Sequence, residues 1–130
     1  MANSQRILIV DDDVHTADYI AELLHARDYE TEWAFDGAEA LKKLRGLPAE
    51  AVGIEQAFDL MILDLMIPGI DGYEVCRRVK SDEALRHVPV IMVTGLGSTN
   101  NKTKGLEIGA DDYVTKPFRP EELLARVQAV

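Results

Sequence analysis

The chain has 130 residues, 47% of them hydrophobic and 28% charged, and 14 basic against 23 acidic side chains give a net charge of −9. The length predicts one domain spanning 1–130, with a core over about 6–127, and the acidic balance serves solubility and argues against a basic face that grips nucleic acid. A lone cysteine, Cys76, rules out an internal disulfide framework, no basic-then-apolar segment opens the chain, and no apolar run approaches the roughly 20 residues that span a bilayer, so the expected setting is cytoplasmic and without membrane contact.

Strand-like and helix-like patterns alternate five times along the chain. Ile7 to Val10 is a short continuous apolar run, the pattern of a strand covered on both faces, and it ends in Asp11-Asp12-Asp13. Ala17, Ile20, Ala21 and Leu24 then recur at helical spacing. Tyr29 to Ala34 alternates Tyr29, Thr31 and Trp33 with Glu30 and Glu32, which predicts a more exposed strand. Asp36-Gly37 precedes a helix whose inner face is predicted to carry Ala38, Leu41 and Leu44. Leu60 to Leu63 is a second buried strand, ending in Asp64 and the turn-rich Pro68-Gly69-Ile70-Asp71-Gly72. Val75, Cys76 and Val79 mark a third helix, where Cys76 is expected to pack as a small hydrophobe.

Val90 to Val93 is a strand entered through Pro89, a tolerated first position. Thr99 to Ile108 makes a poor helix, with Asn100, Asn101, Thr103 and Gly105. Tyr113 to Thr115 is a short last strand, Pro120 fits a helix start, and Leu123, Leu124 and Val127 give the final helix its apolar face. Five β–α units with short loops predict an α/β fold, a doubly wound five-stranded parallel sheet with helices on both faces and right-handed crossovers. The connection Arg45–Phe58, 14 residues against the usual 4–6 or so, departs from this economy; slack explains it better than a partner contact. The chain stops inside its final helix, as a piece of a longer protein would.

Open α/β sheets bind ligands at the C-terminal edge of their strands. If the two buried strands are neighbours, Asp11, Asp12 and Asp64 gather there. Two carboxylates about 4 Å apart repel by roughly 1 kcal/mol in water and about 4 kcal/mol at an effective dielectric of about 20. Three therefore call for raised pKa values or a cation, and Mg²⁺, which takes carboxylate, water and phosphate oxygens, suits them. Asp64 is then placed to attack phosphorus and form an acyl phosphate.

Thr94 and Lys116 follow two further strands and supply a hydroxyl donor and a mobile cation. Taken singly, each residue has a plain structural explanation: helix start for the Asp triplet, turn former for Asp64 and Thr94, solvated charge for Lys116. Their placement at four strand ends is what points to phosphoryl chemistry. Lys116-Pro117 is a candidate cis peptide that would aim the lysine inward.

The segments ILIVDDD, DLMILDLMIPGIDGYEVC, VPVIMVTG and GADDYVTKPF, in this order and spanning Arg6 to Val127, resemble the receiver domain of two-component response regulators. The resemblance implies the flavodoxin-like strand order 2-1-3-4-5. It implies that Asp64 is the phosphoacceptor for a histidine kinase or phosphotransfer protein, with Asp12 a direct and Asp11 a water-mediated Mg²⁺ ligand and the Met66 backbone carbonyl completing the set. It implies that Thr94 bonds the phosphoryl oxygen, that Lys116 pairs with it, and that Tyr113 turns inward as Thr94 moves, altering the face made by the fourth helix, fifth strand and fifth helix. On that face Lys102, Asp111, Asp112, Glu122 and Arg126 resemble the charges that pair between subunits in the subfamily with winged-helix outputs, which makes a homodimer one expectation and solvated charges the other.

Members that lose phosphate quickly often carry polar groups two residues past the phosphoacceptor and the threonine. Here those positions are Met66 and Leu96, so a long-lived phosphoryl state is expected, and Gly95 leaves the site open to its donor. An aspartyl-nucleophile phosphatase needs a second Asp at position 66 as general acid, and Met66 stands there. An unphosphorylated pseudo-receiver would not need the intact set of acids, Thr94 and Lys116. A Ca²⁺ loop from Asp11 fails at its sixth position, Thr16, where glycine is needed. His15, His25 and His87 lack ligand spacing and are expected at the surface. The kinase, its signal and any output domain beyond the chain are not written in this sequence.

Overall fold

A computed structural model describes residues 5–45 and 58–130. Its elements run β1 (Arg6–Val10), α1 (Val14–His25), β2 (Glu30–Ala34), α2 (Gly37–Leu44), β3 (Leu60–Leu63), α3 (Gly72–Ser81), β4 (Val90–Thr94), α4 (Thr99–Ile108), β5 (Asp112–Thr115) and α5 (Pro120–Ala129). All strand pairs are parallel, and the sheet order is β2-β1-β3-β4-β5, as the resemblance implied. Most of the Arg45–Phe58 connection lies outside the described residues.

Burial on both faces explains the continuous apolar runs of β1, β3 and β4. Alternate side chains feed two core layers. Leu8, Val10, Met61, Leu63, Val90 and Met92 pack under α2 and α3 with Leu41, Val75 and Val79. Ile7, Ile9, Leu60, Ile62, Ile91 and Val93 pack against α1 and α5 with Ile20, Leu24 and Leu123. Each fully buried Leu, Ile or Met contributes about 1.5–3 kcal/mol relative to exposure. The edge strand β2 instead keeps Glu30 exposed, a charge that discourages pairing with another chain.

Side-chain caps fix the starts of α1 to α4, while α5 opens on Pro120 with no side-chain cap. Asp13, Asp36, Asp71 and Ser98 accept hydrogen bonds from the backbone N–H groups of His15, Glu39, Glu74 and Asn101. The expected inner face of α2 needs one correction. Ala38 is exposed, and Gly37 and Ala40 are buried beside Leu41 and Leu44. The cap at Asp36 sets the helix phase, which turns Gly37 toward the core. A Cβ there would meet Val75 Cγ2 at 2.7 Å and the Ile70 carbonyl at 2.9 Å, so glycine is what lets α2 approach so closely. Cys76 is buried, and burial pushes its thiol pKa up to about 11, consistent with a packing role.

Candidate functional site

Strand register assembles the site. Val10 pairs with Leu63, so the next residues, Asp11 and Asp64, leave the sheet side by side. The Asp64 N–H donates to Val10 O at 2.9 Å and the Asp11 N–H to Ala34 O at 3.2 Å, which extends the ladder to the acids themselves. Thr94 pairs with Thr115, and the Lys116 N–H donates to Thr94 O at 2.8 Å. Four strand ends thus deliver Asp11, Asp64, Thr94 and Lys116 to one edge.

Thr94 is fully buried, Asp11 is 2% exposed and Asp64 6% exposed, while Asp12 faces solvent. Asp11, Asp12 and Asp64 each offer a carboxylate oxygen, all within 4.8 Å of one another. The adjacent Asp13 does something different. It caps α1, accepting from the Thr16 hydroxyl at 2.9 Å and the His15 N–H at 3.0 Å, which lowers its pKa. The acidic triplet therefore divides between a helix cap and a carboxylate cluster.

Lys116 Nζ donates to Asp11 Oδ2 at 2.7 Å and to Asp64 Oδ2 at 2.9 Å. Burial raises the pKa of Asp11, against the pull of Lys116. Burial opposes the charge of Lys116, but its hydrogen bonds to the two carboxylates carry the net shift upward. Three carboxylates less one ammonium leave two negative charges. An all-oxygen donor set with that residual charge fits a hard divalent cation such as Mg²⁺. The Lys116–Pro117 peptide is cis.

Around this centre the backbone lies close. A Cβ on Gly72 would sit 2.6 Å from the Asp64 carbonyl oxygen and 2.6 Å from Leu65 Cα, so only glycine lets the start of α3 pass the Asp64 peptide. The Met66 N–H donates to Asp64 Oδ1 at 3.1 Å, and the Met66 side chain is 62% exposed. The Leu96 N–H reaches Thr94 Oγ1 at 3.4 Å. A Cβ on Gly95 would meet nothing within 4 Å, so the approach above Thr94 is open.

Tyr113 is buried, and its hydroxyl donates to the Leu96 carbonyl in the loop after Thr94. Beside it Tyr73, a residue that sequence reasoning missed, donates to the Asn101 backbone and side-chain oxygens at 3.2 Å, with Lys104 Nζ 4.2 Å from its ring centre. Both tyrosines thus reach α4 or the loop leading to it. Gly105 of α4 lies against Tyr113: a Cβ there would be 3.2 Å from the Tyr113 ring.

The face of α4, β5 and α5 carries its own internal pairs. Asp111 accepts from Lys80 Nζ at 3.1 Å and from the Val90 N–H at 2.8 Å, and Arg126 holds Asp112 at 3.1 Å. Lys102 and Glu122 are exposed. On the opposite side of Lys116, an open groove of about 450 Å³ is lined by His15, Thr16, Tyr19, Lys116, Pro117 and Phe118. His15 stands at this groove, His25 shares a 2.8 Å hydrogen bond with the Thr31 hydroxyl, and His87 is exposed.

Comparison with known proteins agrees with this architecture. The chain is 42% identical over 96% of its length to the DNA-binding dual master transcriptional regulator RpaA of Synechocystis sp., covering 48% of that protein. It is 44% identical over 95% of its length to the phosphate regulon transcriptional regulatory protein PhoB of Pseudomonas aeruginosa, covering 50% of it. The chain therefore spans about half the length of these curated relatives. Among solved structures, the BeF3-activated receiver domain of DrrB superimposes with a TM-score of 0.80 at 36% identity, over 97% of this chain and 96% of that one. Among the described residues no helix is long and apolar enough to cross a membrane. Residues 7–128 match the response regulator receiver domain, and the chain belongs to that family of two-component signalling proteins.

Proposed function

We propose that this domain accepts a phosphoryl group onto Asp64 from a phosphohistidine of a histidine kinase or phosphotransfer protein. The observation that carries this reading is the convergence of Asp11, Asp12, Asp64, Thr94 and Lys116 at one sheet edge. An Asp64 carboxylate oxygen attacks phosphorus, an acyl phosphate O–P bond forms, the P–N bond breaks, and the imidazole leaves with its electron pair to be protonated. Mg²⁺, held by Asp11, Asp12, Asp64 and the Met66 carbonyl, would supply charge neutralisation for the incoming phosphoryl oxygens. Lys116 moves from its carboxylate partners to a phosphoryl oxygen, and the Thr94 hydroxyl donates to another.

The phosphoryl group adds about 1.5–2 negative charges in a confined space. Withdrawal of Thr94 toward it loosens the loop that Tyr113 grips through Leu96, and α4 resettles on the sheet. The domain does no steady turnover of an external substrate; its reactions are its own phosphorylation and dephosphorylation in the cytoplasm. The groove beside Lys116 fits the approach of the donor. The output face is α4, β5 and α5, where Lys102 and Glu122 are exposed and Asp111, Asp112 and Arg126 would join them in a homodimer only by exchanging their internal partners. This acidic domain makes no direct nucleic acid contact; the DNA binding named for the relative RpaA would fall, in a longer protein, outside it.

The test is incubation with acetyl phosphate and Mg²⁺, followed by intact mass. One added phosphoryl group, absent in Asp64→Asn and absent with chelator, is the expected result. An unmodified wild-type chain would instead leave a pseudo-receiver, and continuous release of phosphate from a phosphomonoester would favour a phosphatase.

A further inference from the structure

We propose that Trp33 is a positioning residue for the cation site, acting through the backbone of Asp11; the inference rests on the Mg²⁺-dependent reading above. Trp33 lies on the edge strand β2, in register with Ile9, two residues before the acids begin. Its indole N–H donates to the Asp11 carbonyl oxygen at 2.7 Å. That carbonyl lies past the last paired residue of β1, Val10, so the ladder offers it no strand donor. The indole takes that place.

Every polar group of Asp11 is then held. Its N–H donates to Ala34 O at 3.2 Å, Oδ1 accepts from the Asp13 N–H at 2.9 Å and Oδ2 from Lys116 at 2.7 Å, while Trp33 fixes the carbonyl. The Asp11–Asp12 peptide includes that carbonyl, so Trp33 sets the plane from which Asp12 emerges. Trp33 is itself braced. Lys43 Nζ donates to its carbonyl at 2.7 Å, and Phe35 meets its ring edge-on at a centroid distance of 6.4 Å. With 37% of its surface exposed, the ring is only partly a packing element. Outer partners that orient metal ligands typically change metal affinity by about 10–100-fold when removed.

Trp33 is the sole tryptophan, so the ¹⁵N-labelled chain gives a single indole N–H resonance. In a Mg²⁺ titration that resonance is expected to shift on the same saturation curve as the Asp11 and Asp12 amides. Trp33→Phe keeps an aromatic ring and loses the donor; its Mg²⁺ Kd, measured by calorimetry, is expected to rise about tenfold. Phe35→Leu removes the edge-on aromatic neighbour and keeps the donor; its Kd is expected to stay within about twofold of wild type, since the donor survives. A wild-type Kd in Trp33→Phe, an indole resonance unmoved at saturation, or equal weakening in Phe35→Leu would overturn the role of Trp33 and leave the site reading intact. A wild-type chain that binds no Mg²⁺ would overturn both.

Discussion

Lys116 Nζ bridges Asp11 and Asp64, 2.7 Å from one carboxylate and 2.9 Å from the other, so a single ammonium holds together the ends of two strands. This bridge competes with a divalent cation for the same oxygens. Two unit charges about 4 Å apart interact by about 1 kcal/mol even in water. Lys116→Ala is therefore expected to tighten Mg²⁺ binding about fivefold or more while slowing phosphorylation by acetyl phosphate. Calorimetric titration and intact-mass time courses measure the two effects. Weaker Mg²⁺ binding in this variant would contradict the competition.

Met66 and Leu96 flank the site with apolar side chains, the first largely exposed and the second half-buried. Neither offers a group to orient a hydrolytic water. The double variant Met66→Asn, Leu96→Glu is expected to shorten the phosphoryl lifetime by about tenfold to a hundredfold through positioning of that water. Decay of the phosphorylated species, followed by intact mass after donor removal, provides the comparison, and an unchanged rate refutes the idea.

Gly72 passes the Asp64 peptide without room for a methyl group. The two nearest obstructing atoms are backbone, which cannot swing aside as a side-chain tip can. Gly72→Ala is expected to destabilise the fold by about 1–3 kcal/mol and to reduce phosphorylation of the fraction that remains folded. Urea unfolding gives the first value. Because Gly72 is the first residue of α3, the gain in helix propensity from alanine does not offset the clash.

Burial, with Tyr73 close by, pushes the pKa of Tyr113 from its ordinary 10.0 up to about 12. The unfolded chain thus ionises this phenol first. The stability linked to its protonated form is complete below pH 10 and is lost as pH rises toward about 12. The phenolate absorbance of wild type should include a late step near pH 12 that Tyr113→Phe lacks. Stability should also fall less steeply across this window in the variant.

Much of this was legible because the central strands are apolar on both sides and each ends abruptly in a reactive residue. Ile7–Val10 before Asp11 and Leu60–Leu63 before Asp64 announce both the sheet and its working edge, and the parallel register then brings the two acids together. The phase of α2 is hidden at Ala38 because an alanine carries little hydrophobic signal, and the Asp36 cap decides which face turns inward. Trp33 and Tyr73 escaped because their roles depend on partners far along the chain, 22 residues away at Asp11 and 28 at Asn101. An aromatic residue in a strand or helix suggests packing, and nothing local shows that its polar atom will meet a backbone carbonyl.

Gly105 is the one residue that α4 buries. Beyond it, a half-buried Ile108 and the Tyr73 contacts of Asn101 and Lys104 are what tie this helix down, so little apolar surface anchors it. A shift of such a helix would leave the hydrophobic layers beneath closed, so the exterior would be redrawn without melting the domain.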